Sequence, residues 1–182
     1  MEQEKKETQN KKKKGGRRSY LNDFKPNVAG EYIYTGKNIG WKAPRKQTLV
    51  KMWVLGCLGI LASVIAGCIP GTGMEGTAWI VLPYIIGLVA SVSEIWAICR
   101  LSTAGEQIRE YVFRATAKQL PARSFLTALF SGVAILGEAV NVFVLPFDGE
   151  IWAGLLLMFL ETVVFVTAIL LHRLVMKLEW AE

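Results

Sequence analysis

Four long apolar stretches constrain the fold of this 182-residue sequence more than any other feature. They cover residues 49–69, 79–99, 125–145 and 151–172. Each is long enough to cross the ~30 Å hydrocarbon core of a bilayer as an α-helix. A core helix of a soluble protein rarely runs this long without a charged face. The sequence therefore predicts an all-α integral membrane protein whose four transmembrane helices form a bundle within residues 49–182.

The basic residues predict how the chain is threaded. All 21 Lys and Arg lie before residue 52, within residues 100–124 or after residue 172. The other two connections carry only Glu75, Asp148 and Glu150 as charged residues. Because Lys and Arg collect on the cytoplasmic side of membrane proteins, both termini and the 100–124 loop are predicted to be cytoplasmic. We expect a multi-pass protein of the cell (plasma) membrane.

The first 20 residues differ from the rest in being basic and low in complexity, which predicts a disordered cytoplasmic tail. Residues 21–48 then lead to the first span as a cytoplasmic or interfacial segment. Each Lys or Arg near a membrane surface is attracted to anionic lipid headgroups by about 1 kcal/mol. We expect lipid contacts rather than a nucleic-acid partner, and the residues that would make them are Lys11, Lys12, Lys13, Lys14, Arg17 and Arg18.

The two halves of the chain are similar in layout. Trp79 opens the second span and Arg100 closes it, and Trp152 and Arg173 do the same for the fourth span with the same separation of 21 residues. Similar segments, EYIYTGKNIGWKAPR and EYVFRATAKQLPAR, lead into the first and third spans. This similarity favours two duplicated helical hairpins that run parallel, related by an axis along the membrane normal.

The two lead-in segments carry different local signals. Gly30, Gly36 and Gly40 favour an extended or turn-rich conformation in the first. In the second, Thr103 and Glu106 fit a capping box, which predicts a short amphipathic helix at the cytoplasmic interface.

Glu94, Glu138 and Glu161 lie inside the apolar stretches, where a bare carboxylate is costly. Each follows a small residue by seven positions, which places it on a face suited to close helix contact. Asn141 shares the face of Glu138 and is its expected neighbour. Lys51, near the inner end of the first span, is a candidate ion-pair partner for Glu94. The small residues are Gly87, Ser131 and Gly154.

Two functions agree with this polar set. The carboxyls hold helices together, within the chain or against a partner, in a non-enzymatic assembly or accessory subunit that is homo-oligomeric or joined to a larger membrane protein. Alternatively, Glu94, Glu138 and Glu161 serve a small proton- or cation-coupled transporter. Catalytic motifs are missing from the sequence, and its one histidine, His172, fits an interfacial anchor, so we expect no enzyme activity, cofactor or metal.

The three cysteines do not predict a disulfide framework. Cys57 and Cys68 are eleven residues apart on one predicted helix, roughly 16 Å, which is too far for a disulfide. Residues 65–68, IAGC, resemble the lipobox of bacterial lipoproteins, with Cys68 in the lipidated position. Small residues at the end of a span explain the same four letters.

Overall fold

The computed structural model describes residues 24–26, 31–144 and 149–181, and within these ranges the chain is mostly helical. The predicted tail with its Lys and Arg residues lies outside the described residues. The helices are α1 (Arg45–Gly67), α2 (Ala78–Thr103), α3 (Glu110–Ala115), α4 (Leu120–Phe143) and α5 (Ile151–Met176). The strands are β1 (Phe24–Pro26), β2 (Tyr32–Tyr34), β3 (Asn38–Trp41), β4 (Gln107–Arg109) and β5 (Trp180–Ala181).

Helices α1, α2, α4 and α5 are each long and apolar enough to cross a membrane, which confirms four helices of that kind at the predicted positions. Each runs about one turn past the predicted span at the end that carries the Lys and Arg residues. Two side chains of α1 donate hydrogen bonds to Ser102 of α2 at this end. The Arg45 guanidinium donates to the Ser102 carbonyl at 2.7 Å, and the Trp53 indole donates to the Ser102 hydroxyl at 2.9 Å.

The four long helices pack through seven-residue patterns of buried residues. Helix α1 packs against α2 and α5, and α4 also packs against α2 and α5. Within each helix most successive buried positions are three or four residues apart, the spacing of left-handed helix packing, and a few are adjacent. One apolar cluster fills the end near β3 and α3, and a smaller one includes Tyr84, Ala134 and Leu157 at the other end.

Large apolar side chains cover the outward faces of these helices. On α4, for example, Leu129, Leu136 and Phe143 are exposed, while the face toward the other helices is polar. This distribution reverses that of a soluble helix, which exposes its polar face. The exposed apolar surface is the kind that lipid covers.

A small antiparallel sheet was not expected from the sequence. Strand β3 lies between β4 and β5, with Ile39 opposite Ile108 and Trp41 opposite Trp180. A second pair joins β1 to β2. The three-stranded sheet ties the segment before α1, the loop after α2 and the end of the chain together. The extended conformation predicted for the first lead-in segment is therefore present.

The prediction that a helix starts at Thr103 and Glu106 is wrong. Thr103 is the last residue of α2, and its hydroxyl donates back to the Arg100 carbonyl at 3.0 Å. Gly105 follows with φ +80°, a conformation that ends the helix. Residue Ile108 is then fully buried in strand β4, so pairing with β3 overrides the helical spacing. A short helix, α3, begins only at Glu110.

Candidate functional site

The polar residues predicted inside the membrane gather around one face of α4. Five polar side chains on this face are at least nine-tenths buried, at the alternating three- and four-residue spacing. Ala134 completes the spacing between them. We call this set the α4 polar stripe, and its members are Ser124, Thr127, Ser131, Glu138 and Asn141.

Glu94 lies on α2 and reaches the stripe. It is 4% exposed, and the Thr127 hydroxyl donates to its Oε1 at 2.6 Å. Lys51 is exposed on α1 and forms no ion pair with Glu94 in the part of the chain that the structure describes. The hydrogen-bond partner of Glu94 is therefore a neutral hydroxyl on a neighbouring helix, and the cation that interacts with it electrostatically is Arg123 on the same helix α4.

Glu161 reaches the stripe from α5. It is 3% exposed, and the Ser131 hydroxyl lies within hydrogen-bond distance of both its Oε2 and its backbone carbonyl, the latter at 3.0 Å. Its Oε1 is buried and has no hydrogen-bond partner among the described residues. Through Thr127 and Ser131, α4 thus holds a carboxyl from each of its two neighbouring helices.

Glu138 belongs to α4 itself and is fully buried. The backbone N–H of Gly73, in the connection between α1 and α2, donates to its Oε1 at 3.0 Å. The other oxygen, Oε2, has no hydrogen-bond partner within the described ranges. The loop between α1 and α2 therefore contacts α4.

Two glycines make room for the Glu138 carboxyl. A Cβ at Gly73 would collide with the Asn141 amide and with Glu138, so both side chains converge on the backbone there. A Cβ at Gly154 on α5 would come within 2.9 Å of Glu138 Oε1. Asn141 and Glu138 thus both lie against the backbone of Gly73, and no hydrogen bond joins the two side chains in the described structure.

The loop at residues 68–77 is held at a second point. Gly71, with φ +72°, donates its N–H to Glu75 Oε1 at 2.8 Å and accepts a hydrogen bond from the Glu150 N–H at 3.1 Å. Since Glu150 is the N-cap of α5, this loop contacts both helices of the second hairpin. Neighbouring Thr72 is buried, and its hydroxyl has no partner among the described residues.

The contact between α1 and α5 is made by small residues. A Cβ at Gly59 would lie 2.9 Å from Thr167 Oγ1, so the two helices approach closely at this point. Ser63 is buried, and its carbonyl accepts a hydrogen bond from the Tyr84 hydroxyl at 2.8 Å. Gly59 and Ser63 of α1 therefore face the other helices.

Three site residues were not identified from the sequence. Thr127 lies eleven residues before Glu138, and continuing the seven-residue register back along α4 would have found it. Gly73 gives no such signal, because its role depends on how the loop folds back. His172 on α5 has partners that were not foreseen: its Nδ1 lies 2.9 Å from the Pro121 carbonyl and 3.4 Å from Ser124 Oγ.

The arrangement offers hydrogen bonds rather than a metal centre. Within residues 24–26, 31–144 and 149–181, no group of three or more His, Cys, Asp or Glu is placed to hold a metal ion. Cys57, Cys68 and Cys99 are free thiols, and Cys68 is exposed. Comparison with models of known protein families, with curated proteins and with solved structures finds no match for this chain.

Proposed function

We propose that α1, α2, α4 and α5 cross the plasma membrane as a bundle, with both termini and the β4–β3–β5 sheet in the cytoplasm. The outward faces of the helices are apolar, and the Lys and Arg residues of the described chain lie toward the end where this sheet lies. Lys and Arg at that end agree with the charge bias of cytoplasmic loops.

We further propose that the two hairpins arose by duplication and are related by an axis along the membrane normal. The helix contacts support this. Exchanging α1 with α4 and α2 with α5 turns the α1–α2 contact into α4–α5 and the α1–α5 contact into α2–α4, and all four contacts are present. The carboxyls do not follow this exchange, so they would have been acquired separately in each half.

For its role, we propose a non-enzymatic subunit of a membrane assembly, homo-oligomeric or accessory to a larger membrane protein. The observation that supports this most is that each intramembrane carboxyl accepts a hydrogen bond from another helix or loop of its own chain: Glu94 from Thr127, Glu161 from Ser131 and Glu138 from Gly73. Carboxyls used in this way hold a compact scaffold together. The apolar outer faces are then free to contact other membrane helices.

The test of this role is the native mass of the complex after mild detergent extraction from its own membrane. We expect a mass well above that of a small homo-oligomer, or a regular homo-oligomer of defined size. A co-purifying protein would identify the partner, and through it the process that this subunit serves. A monomer that stays a monomer in native membranes, judged by crosslinking, would contradict the proposal.

A second candidate is transport of protons or small cations, favoured by the two carboxylate oxygens that lack hydrogen-bond partners in the described structure. Glu138 Oε2 and Glu161 Oε1 are both buried, and they lie at different depths along the α4 polar stripe. Intramembrane carboxylates often mark ion paths. A transporter would show a proton or cation flux in proteoliposomes that Glu161→Gln abolishes, while the exposed-carboxyl control Glu106→Gln keeps it.

A further inference from the structure

Two guanidinium groups each lie close to the same exposed aromatic ring, at the end of α2 that we place in the cytoplasm. Trp96 is 48% exposed. The guanidinium carbon of Arg100, one turn further along α2, lies 5.4 Å from the ring centroid, and that of Arg123, in the first turns of α4, lies 5.3 Å from it. The two cations are therefore within about 11 Å of each other.

The protein fixes one of these cations and leaves the other free of hydrogen bonds. Arg123 donates to the Ser93 carbonyl at 2.7 Å and to the Ala115 carbonyl at 3.3 Å, which uses two of the five N–H donors of a guanidinium. Arg100 donates no hydrogen bond within the described structure, so its position depends on the Trp96 ring. Most of the N–H donors of the two guanidinium groups therefore have no protein acceptor in the described structure.

Protein carboxylates balance this charge only in part. The ion pairs of the described residues are Lys42–Glu179 and Arg114–Glu110, and neither includes Arg100 or Arg123. The buried Glu94 interacts electrostatically with Arg123, but its hydrogen bond comes from Thr127, and no carboxylate of the described residues pairs with Arg100. Two cations repel each other, more strongly at the edge of an apolar layer than in water, and Arg123 also lies at the positive end of the α4 dipole. An external anion would relieve both effects.

The predicted position of Arg100 and Arg123 across the membrane points to lipid headgroups as the source of this anion. Trp96 lies three residues before the inner end of the predicted second span, where aromatic rings occupy the headgroup level of a membrane. Basic groups between helices on the cytoplasmic side bind lipid headgroups. Guanidinium groups suit phosphate in particular, because paired N–H donors match two phosphate oxygens.

We propose that Arg100 and Arg123, gathered on the ring of Trp96, bind the phosphate group of an anionic phospholipid in the cytoplasmic leaflet. This inference rests on the proposed placement of the helices across a membrane. It concerns a site distinct from the basic residues of the N-terminal tail, since it is built from two packed helices. It does not depend on whether the protein has a protein partner.

The sequence offers a matched control. Arg173 closes α5 as Arg100 closes α2, each 21 residues after the tryptophan near the start of its helix. Arg173 is exposed and takes part in no cation–π contact or ion pair among the described residues. Substitution of either arginine by glutamine removes one charge at the same end of the molecule, but only Arg100→Gln removes a member of the proposed site.

The experiment titrates phosphatidylglycerol into the full-length protein in neutral detergent micelles and follows the midpoint of thermal unfolding. Phosphatidylcholine with the same acyl chains serves as the neutral lipid. We expect phosphatidylglycerol to raise the midpoint of the wild-type protein more than phosphatidylcholine does. Arg100→Gln should need roughly fivefold more phosphatidylglycerol for half of the effect, and Arg173→Gln should titrate like the wild type. Because Arg100 makes no hydrogen bond to the protein in the described structure, its replacement should leave folding intact.

Two results would overturn the proposal. Equal shifts for Arg100→Gln and Arg173→Gln would mean that net charge, not this site, attracts the lipid. Protection by inorganic phosphate in micelles without anionic lipid, lost in Arg100→Gln, would assign the site to a soluble phosphate compound instead. A wild-type protein that stays folded and dissolved in water without detergent would refute the membrane placement itself, which separates that failure from failure of the lipid site.

Discussion

Helices α1 and α4 occupy equivalent places, each packed between α2 and α5, but they are held there by different chemistry. The buried face of α1 includes the small residues Gly56, Gly59 and Ser63 beside apolar side chains, and it carries no charged side chain. The buried face of α4 carries the polar stripe, whose Thr127 and Ser131 each hold a carboxyl of a neighbouring helix. Toward α5, α1 relies on close approach, and its side-chain hydrogen bonds are made with α2. Helix α4 uses side-chain hydrogen bonds toward both of its neighbours.

In the proposed membrane placement the difference matters, because lipid offers no hydrophobic force to drive helices together. Association then depends on van der Waals packing and on interhelical hydrogen bonds. A contact based on close approach should tolerate the loss of polar groups but not added volume. A contact based on hydrogen bonds should tolerate changes of shape that keep a donor. The two helices can therefore be distinguished by the kind of substitution that each one tolerates.

The largest effect is expected from added volume on α1. Gly59→Ala places a Cβ 2.9 Å from Thr167 Oγ1, and overpacking of this kind costs about 1–3 kcal/mol. We expect the free energy of unfolding in micelles to fall by about 2 kcal/mol. Steric trapping or titration with a denaturing detergent would measure it.

The control variant shortens Thr167, the residue opposite Gly59, to make room for the added methyl group. The Thr167 Cβ lies 3.8 Å from the position that the new methyl group would take, an ordinary contact, so Gly59→Ala with Thr167→Ala should regain most of the stability. The Thr167 hydroxyl bonds only to carbonyls of its own helix, and its loss alone should cost little. A double variant as unstable as Gly59→Ala would show that close approach at this point is not what holds α1.

The helices could be predicted from the sequence because their signal is local and strong. Length and apolarity are enough to locate all four long helices, and the positions of Lys and Arg can be read directly from the sequence. The sheet could not be predicted, because β3, β4 and β5 are short and lie far apart in the sequence. Thr103 and Glu106 carried a helix-start signal that the Ile39–Ile108 pairing overrides.

The polar site was predictable in part for the same reason. The positions of Glu94, Glu138 and Glu161 on small-residue faces follow from helical periodicity, and each is at least nine-tenths buried. Their partners do not follow from it. The choice of Thr127 over Lys51 depends on the relative rotation of α2 and α4, and the choice of Gly73 depends on a loop conformation.

A smaller effect is expected from the loss of a hydrogen bond on α4. Thr127→Val keeps the shape of the side chain but leaves the Glu94 carboxyl without its donor. Interhelical hydrogen bonds in membrane proteins contribute about 0.6 kcal/mol on average and at most about 1.7 kcal/mol, so we expect a loss of about 1 kcal/mol in the free energy of unfolding. Thr127→Ser, which keeps the hydroxyl, should be close to the wild type.

Thr162 provides the matched comparison for Thr127. It is an exposed threonine on α5 whose hydroxyl bonds only to the Met158 carbonyl of its own helix. Thr162→Val makes the same chemical change where no other helix depends on the hydroxyl, and it should leave the free energy of unfolding unchanged. If both valine variants lose equal stability, the effect belongs to threonine in a helix and not to the contact between α2 and α4.

The smallest effect on stability is expected from Glu138→Gln. Glutamine keeps an oxygen that accepts from the Gly73 N–H, so the loop at residues 68–77 should stay in place and the free energy of unfolding should change by less than about 0.5 kcal/mol. Glu138→Leu removes the acceptor while filling the space. Hydrogen–deuterium exchange at Gly73 should then be slow in the wild type and in Glu138→Gln, and at least about tenfold faster in Glu138→Leu, since opening of this contact would cost about 1.4 kcal/mol less. Equal exchange in all three would mean that the loop is held by Gly71 and Glu150 alone, and α4 would then contact the first hairpin only through its helices.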